Sequence, residues 1–325
     1  MSPDLPGPLR AALDRALDGV PRKDLAERAA RTSEAYRAGR PSSGVIRDAD
    51  DALAYALTRL PATYAACATV LAKAAGMAPD FAPASLLDAG AGTGAASWAA
   101  TEVWPALASV TWLDASPPFL ALAAQLAAQG PPALRAADAR RADLTSPGPW
   151  PKADLVVASY ALAEIAPNKQ ASTIDELWNA CEGILVLVEP GTPAGYQHIL
   201  AARTALIAVG GAILAPCPHA AACPLIGDDW CHFSVRLPRS RDHRLAKGAD
   251  VPFEDERFAY LVAARPGVAA AAQRRPRVLA PPRTAKPGIA LKLCGLDGQV
   301  EQRLVPKRDK PAYAVARRLG WGDTL

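Results

Sequence analysis

The stretch Asp88-Ala-Gly-Ala-Gly-Thr-Gly94 constrains this chain more than any other. A short apolar run, Leu86-Leu87, ends in Asp88, and then Gly90, Gly92 and Gly94 alternate into an Ala-rich, helix-like segment. Glycine has no Cβ, so the backbone can turn tightly there and approach a ligand closely. The helix beyond begins with free N–H groups and the positive end of its dipole. A strand, a glycine turn and a helix in that order form the nucleotide-binding unit of a parallel sheet. The glycine spacing alone also suits dinucleotide enzymes, and a ligand-free Ala/Gly turn is the plain alternative.

The position of the acid just ahead of the glycines resembles the first motif of the Rossmann-like S-adenosylmethionine methyltransferases. That resemblance assigns Asp88, Gly90, Gly92 and Gly94 to the cofactor's methionine end. From Phe81 the pattern alternates between strand and helix, which predicts a doubly wound α/β sheet. Strands are expected at Ser85–Leu87, Ala108–Leu113, near Ala133–Ala137, at Ala153–Ser159 and at Gly183–Val188, with helices at Ala95–Val103, Phe119–Gln129 and Tyr196–Val209. Asp114 follows the second strand, 20 residues beyond Gly94, where a carboxylate accepts hydrogen bonds from ribose hydroxyls. Asp138 and Asp143 fall in the connection after the third strand. Asp143, which precedes Leu144, is the expected partner of the adenine amino group. No N-P-P-Y motif follows the fourth strand. Ser159-Tyr-Ala-Leu162 stands there instead, leaving Tyr160 and Glu164 as polar candidates for the pocket.

Residues 1–78 read as an N-terminal helical segment. Leu9, Leu13 and Leu17 recur at helical spacing, as do Leu25, Ala29, Thr32 and Tyr36, and a second run extends from Asp48 to Leu71. Pro41-Ser-Ser-Gly44 separates the two. The default is helical packing, with covering of the cofactor cleft as the alternative. Residues 79–265 are expected to form the Rossmann-like domain, with a metal-cluster insertion at about 212–250. Thr204–Gly227 reads as a buried helix running into a loop, and Arg239–Lys247 as a charged loop. Cys231–Leu237 and Phe258–Val262 alternate like the closing antiparallel strands of the sheet.

Cysteine spacing supplies the second signal. Cys217, Cys223 and Cys231 lie within a C-x5-C-x7-C block, each beside a proline or a histidine. Thiolates are the usual ligands of iron–sulfur clusters and common ligands of zinc. Cys67 and Cys181 sit in apolar surroundings and read as core. Cys294, on a strand beside the Asp297-Gly298 turn, is the expected fourth ligand. His219 and His232 compete with it in a zinc reading.

Net charge is only +4, but it is unevenly spread. Between Arg265 and Leu325 there are 13 Lys and Arg against 4 acids, a net +9, so the rest of the chain carries −5. Such asymmetry points to a nucleic-acid-facing end, here residues 266–325, folded as a basic hairpin at Gly288–Leu304 and a helix at Tyr313–Leu319. No apolar run follows a basic N-terminus, which reads as a cytoplasmic chain with no membrane contact. A monomer is expected.

With these motifs together, the chain resembles the methyltransferase-like family of the mitochondrial and bacterial small ribosomal subunit. The resemblance rests on Asp88–Gly94, Glu189-Pro-Gly-Thr192, the block Cys217–Phe233, and the closing L-C-x3-G, K-R-D and W-G-D elements between Leu293 and Asp323. It implies S-adenosylmethionine binding and a 4Fe-4S cluster on Cys217, Cys223, Cys231 and Cys294, with zinc as the alternative metal. It also implies contact with the small ribosomal subunit and its rRNA. Two roles follow: an rRNA methyltransferase, or a non-catalytic assembly factor in which cluster and cofactor are structural.

Overall fold

A computed structural model describes residues 3–37, 44–146, 148–269 and 274–325. The expected break at Pro41–Gly44 lies outside the described residues, apart from Gly44 itself.

The parallel core forms where the short apolar runs predict it. β1 (Ser85–Ala89) lies between β2 (Ser109–Asp114) and β4 (Ala153–Ser159), parallel to both. β5 (Cys181–Pro190) continues from β4, also in parallel, as a nearly unbroken buried apolar run. β8 (Phe253–Ala264) returns antiparallel to β5 and pairs in turn with β6 (Ala212–Ala215). With β3 (Asp138–Arg141) beside β2, the sheet order is β3-β2-β1-β4-β5-β8-β6, a Rossmann-like sheet whose parallel core is closed by antiparallel strands.

Four expectations need correcting. The third strand begins at Asp138, because Pro131 and Pro132 start a helical turn, α6 (Pro132–Arg135), over the segment expected to be strand. Asp138 therefore lies on an exposed edge strand, not in a connection, and its carboxylate holds Arg140. The span Thr204–Gly227 contains strand β6 after α8 (Pro193–Ala208). β7 (Phe233–Pro238) pairs with the N-terminal half of β8, while β6 pairs with the other half, so one long strand serves two partners. Arg239–Lys247 is largely helical: α9 (Arg241–Lys247) starts at Ser240, whose hydroxyl accepts from the His243 N–H, and stops at left-handed Gly248.

The N-terminal helices share the sheet's core. α1 (Gly7–Leu17), α2 (Arg22–Arg37) and the 29-residue α3 (Ala49–Met77) pack with α4 (Ala95–Val103) and α5 (Pro117–Ala127) over one sheet face. Asp48 caps α3 by accepting from the Asp51 N–H. Asp51 is itself buried and takes Arg28 and Arg47. α7 (Pro167–Ala180) and α8 cover the opposite face. Among the described residues no helix is long and apolar enough to cross a membrane.

Residues 277–325 build a second, smaller sheet. β11 (Gly288–Cys294) and β12 (Val300–Pro306) form a hairpin flanked by β9 (Arg277–Val278) and β10 (Arg283–Thr284), with α10 (Lys310–Ala316) packed on it. Its core is Val278, Ile289, Leu291, Leu293, Val305 and Ala316. Arg277 fastens it to the main body by donating to the Pro216 carbonyl, and Lys73 of α3 donates to the Gly322 carbonyl.

Gly183, at the start of β5, tests this packing. A Cβ there would lie 2.4 Å from the Asp154 carbonyl oxygen and 2.6 Å from the Phe81 ring. Since backbone cannot yield as a side chain does, Gly183→Ala is expected to cost about 1–3 kcal/mol, read as a lower urea midpoint at unchanged slope.

Candidate functional site

A cleft of about 1220 Å³ opens at the C-terminal ends of β1, β4 and β5. One wall is the glycine turn. Gly90 has φ +75°, and a Cβ there would meet the Ala161 Cβ at 2.9 Å, so the crossing of the turn and the β4 loop requires glycine. Gly92, at φ +53°, faces open space and presents bare backbone to the cleft. Asp114 is fixed at the tip of β2: its Oδ2 accepts from the Gly92 N–H and its Oδ1 from the Ser116 N–H, each at 2.8 Å. Each oxygen keeps a free lone pair for a ligand hydroxyl. Asp143 lines the same wall, its Oδ1 accepting from both the N–H and the hydroxyl of Thr145.

Asp88 and Gly94 stand apart from the cleft lining. Asp88 is fully buried behind the turn, where its Oδ2 accepts from the Ser97 hydroxyl at 2.6 Å and from the Ser97 N–H at 3.1 Å. Ser97 Oγ in turn accepts from the Trp112 indole N–H. The other oxygen, Oδ1, has no partner among the described residues. Burial pushes the Asp88 carboxyl up to about 6, against the opposing pull of the Ser97 bonds. Gly94 starts α4 at φ +80° and packs on the Trp112 ring.

Tyr160 and Glu164 both line the cleft. Tyr160 has φ +59°, the left-handed region that disfavours a bulky side chain. Its hydroxyl donates to Glu256 Oε1 at 2.7 Å, and Arg59 of α3 clasps the same carboxylate through both terminal nitrogens. Burial, with the Glu256 charge second, holds the phenol well above its ordinary range, so Tyr160 is a donor here and not a base.

Sequence reasoning missed Arg59, Glu256 and His198, and held covering of the cleft by the N-terminal helical segment only as the alternative. Ala29, Ala30, Thr32 and Ser33 of α2 face the cleft, as do Ala246 and Lys247 of α9. The two helices are bridged by Arg22 and Asp242 at 3.0 Å. Arg59 and Glu256 lie 197 residues apart, so no local pattern could have paired them. His198 carried one signal, its place on the helix after Glu189-Pro-Gly-Thr192.

The structure brings Cys217, Cys223, Cys231 and Cys294 around one cavity at the junction of the two sheets. All four are unpaired thiols. His219 Nε2 lies 3.3 Å from Cys294 Sγ, and the Tyr196 hydroxyl 3.2 Å from Cys223 Sγ. His232 instead stacks on Trp230 and does not line the cavity. Burial and the neighbouring thiols push Cys294 up to about 12 and raise Cys217 and Cys231 too. Arg203 and Arg277, 4% and 5% exposed, flank the cavity. Arg203 donates to the His219 and Ala221 carbonyls, but its Nε has no partner. Among the described residues both arginines donate to main-chain carbonyls, and no group of three or more His, Cys, Asp or Glu is gathered so as to hold a metal ion.

The family profile described as "Mitochondrial small ribosomal subunit Rsm22" matches residues 49–325. The human "Ribosome assembly protein METTL17, mitochondrial" is 30% identical over 292 residues, which cover 84% of this chain and 62% of that protein. The Schizosaccharomyces pombe "Rsm22-cox11 tandem protein 2, mitochondrial" is 28% identical over 213 residues, 52% of this chain and 28% of that protein. The chain thus spans less than two thirds of these relatives' lengths. Magnesium protoporphyrin IX methyltransferase from Synechocystis PCC 6803, solved with S-adenosylmethionine bound, matches 64% of this chain and 84% of its own at 19% identity, with a TM-score of 0.40. The cytoplasmic placement read from the N-terminus is corrected here, since the family and both relatives are described as mitochondrial.

Asp88 gives the site a pH signature. Its folded value lies above its ordinary 3.8, so between pH 4 and 6 the folded chain binds more proton than the unfolded one, and this group's contribution to stability falls as pH rises through that window. The loss is on the order of 3 kcal/mol, complete above about pH 6. Asp88→Asn is expected to abolish that portion of the pH dependence, measured as the difference between wild-type and variant urea midpoints across the window.

Proposed function

Because the chain belongs to the mitochondrial small ribosomal subunit Rsm22 family, we propose that it is a methyltransferase-like assembly factor of the small ribosomal subunit. In this reading it binds S-adenosylmethionine in the large cleft, carries a metal–thiolate centre and contacts rRNA. The observation that carries the reading is the family match over residues 49–325, a span that includes both the glycine turn and all four clustered cysteines. The mitochondrial small subunit is the first to test, as its relatives' descriptions name it.

Toward the cofactor, the residues divide into contact and support. Gly90 and Gly92 would offer close backbone approach to the methionine end, Asp114 would accept from the ribose hydroxyls, and Asp143 would meet the adenine amino group. Asp88 and Gly94 would act from behind, holding the turn against α4. The bare backbone at Gly92 and the spare lone pairs on Asp114 fit such a ligand. When bound, the cofactor supplies a methyl group on a sulfonium.

Cys217, Cys223, Cys231 and Cys294 would hold a 4Fe-4S cluster. Four thiolates around iron or zinc carry net negative charge, and two buried guanidiniums are what such a centre needs nearby. The orphaned Nε of Arg203 fits this reading directly.

Contact with rRNA would fall to the smaller sheet, where Arg283, Lys286, Lys307, Arg308, Arg317 and Arg318 are exposed. Phosphate contacts spread over a turn, a loop and a helix end position a protein on RNA without reading its sequence.

Anaerobically purified protein should contain iron and acid-labile sulfide, and Cys231→Ser should lose both; colourless protein with one bound zinc would replace the cluster. Asp114→Ala should weaken S-adenosylmethionine binding by at least about tenfold in calorimetry, matching the loss of about 1.4 kcal/mol. Reversing Arg317 and Arg318 to Glu should flatten the salt dependence of rRNA binding by about one to two contacts. Cells lacking the protein should accumulate immature small subunits, and a normal subunit profile would defeat the assembly reading.

A further inference from the structure

The cleft contains an ionisable pair that the glycine turn and the cysteines leave unexplained. Glu189 ends β5 and is 1% exposed. Its Oε1 accepts from the Leu162 N–H at 3.0 Å, at the start of the short 3-10 turn Leu162–Glu164 that follows Tyr160. Its Oε2 lies 3.1 Å from Nδ1 of His198, on the second turn of α8. The His198 side chain is 20% exposed and lines the cleft.

These contacts determine the ring's orientation. With Glu189 ionised, its Oε2 accepts from His198, so Nδ1 carries the proton and the lone pair of a neutral ring sits on Nε2. Nε2 is on the opposite edge of the imidazole, and among the described residues no hydrogen bond holds it. Glu189 cannot swing away, because its other oxygen is held by the main chain of the loop that forms the pocket wall. A carboxylate behind a histidine of fixed tautomer, with the far nitrogen left to a cleft, is the arrangement of a general base.

We propose that His198, positioned by Glu189, is the base that takes the proton from a protic methyl acceptor, an O–H or N–H group of RNA, in this cleft. The proposal rests on the reading of the cleft as the methyl-donor site. The acceptor's heteroatom attacks the methyl carbon, and the C–S bond breaks with its electron pair going to sulfur, leaving a neutral thioether. The acceptor proton moves to His198 Nε2. Glu189 then faces an imidazolium and offsets its charge, and the proton leaves to solvent. Tyr160 cannot take this role, since its hydroxyl is already donated to Glu256.

The test uses the full chain with small subunits from cells that lack it. Calorimetry with S-adenosylmethionine should give the same affinity for wild type and His198→Gln. Single-turnover transfer of labelled methyl should fall about 100-fold in His198→Gln, and added imidazole should restore part of the rate in His198→Ala. Long-range ¹H–¹⁵N spectra of the wild type, without cofactor, should show His198 protonated at Nδ1 and bare at Nε2. Glu189→Gln should lose that preference while keeping donor affinity. An unchanged rate in His198→Gln, or a ring protonated at Nε2 in the wild type, overturns the proposal. Wild type that binds the donor but methylates nothing overturns it too, yet leaves the donor-cleft reading standing. Wild type that fails to bind the donor defeats the donor-cleft reading itself.

Discussion

The buried bond between Asp88 and Ser97 is the interaction on which the cleft depends. It ties the end of β1 to the first turn of α4, across three glycines that cannot hold themselves in place. Ser97 passes the constraint to Trp112 of β2, and β2 ends at Asp114, whose carboxylate returns to the Gly92 N–H. The turn is therefore closed in a loop of hydrogen bonds running through two strands and a helix. Its energetic cost is a desolvated carboxylate with one unpartnered oxygen. A solvated acid at this position would relieve that cost and leave the glycine backbone free to move.

The cleft is a composite. The sheet supplies its floor through β1, β4 and β5, but Arg59 comes from α3, Glu256 from β8, and the roof from α2 and α9. Arg59, Glu256 and Tyr160 form one network, which explains how a tyrosine is kept at φ +59°. Such a conformation costs on the order of 1–3 kcal/mol and persists only where surrounding contacts over-determine it. Here a bidentate arginine and a short hydroxyl–carboxylate bond do so. The N-terminal helices are thus part of the site's wall as well as packing.

The cysteine cavity joins the two sheets. Three thiols lie in the connection between β6 and β7, and the fourth closes β11 in the smaller sheet. Arg277 lies at the same junction, with its guanidinium on the Pro216 and Gly322 carbonyls. A centre bound there would clamp the basic unit to the Rossmann-like body, so the proposed rRNA-facing surface and the proposed cluster are mechanically linked. Arg203 and Arg277 are both buried at this junction, where main-chain carbonyls accept from their guanidiniums.

Local pattern was enough for the parallel sheet, since its strands are short apolar runs and its glycines and Asp114 lie at fixed offsets along the chain. It was enough, too, to single out the cysteine block and the basic end. It failed where two signals competed, as at Pro131-Pro132, where proline geometry prevailed over an apolar run, and at Arg239–Lys247, where capping by Ser240 and Gly248 turned a charged stretch into a helix. The sequence by itself determined which residue types could serve a nucleotide-like ligand and a metal, because backbone freedom, charge and thiol chemistry belong to the residues. Only the tertiary structure decided which of them meet. Asp88 turned inward because Ser97 lies behind it, and His198 became a candidate base because Glu189 lies beneath it. Burial and long-range pairing, which change what a side chain can do, exist only once the chain has folded.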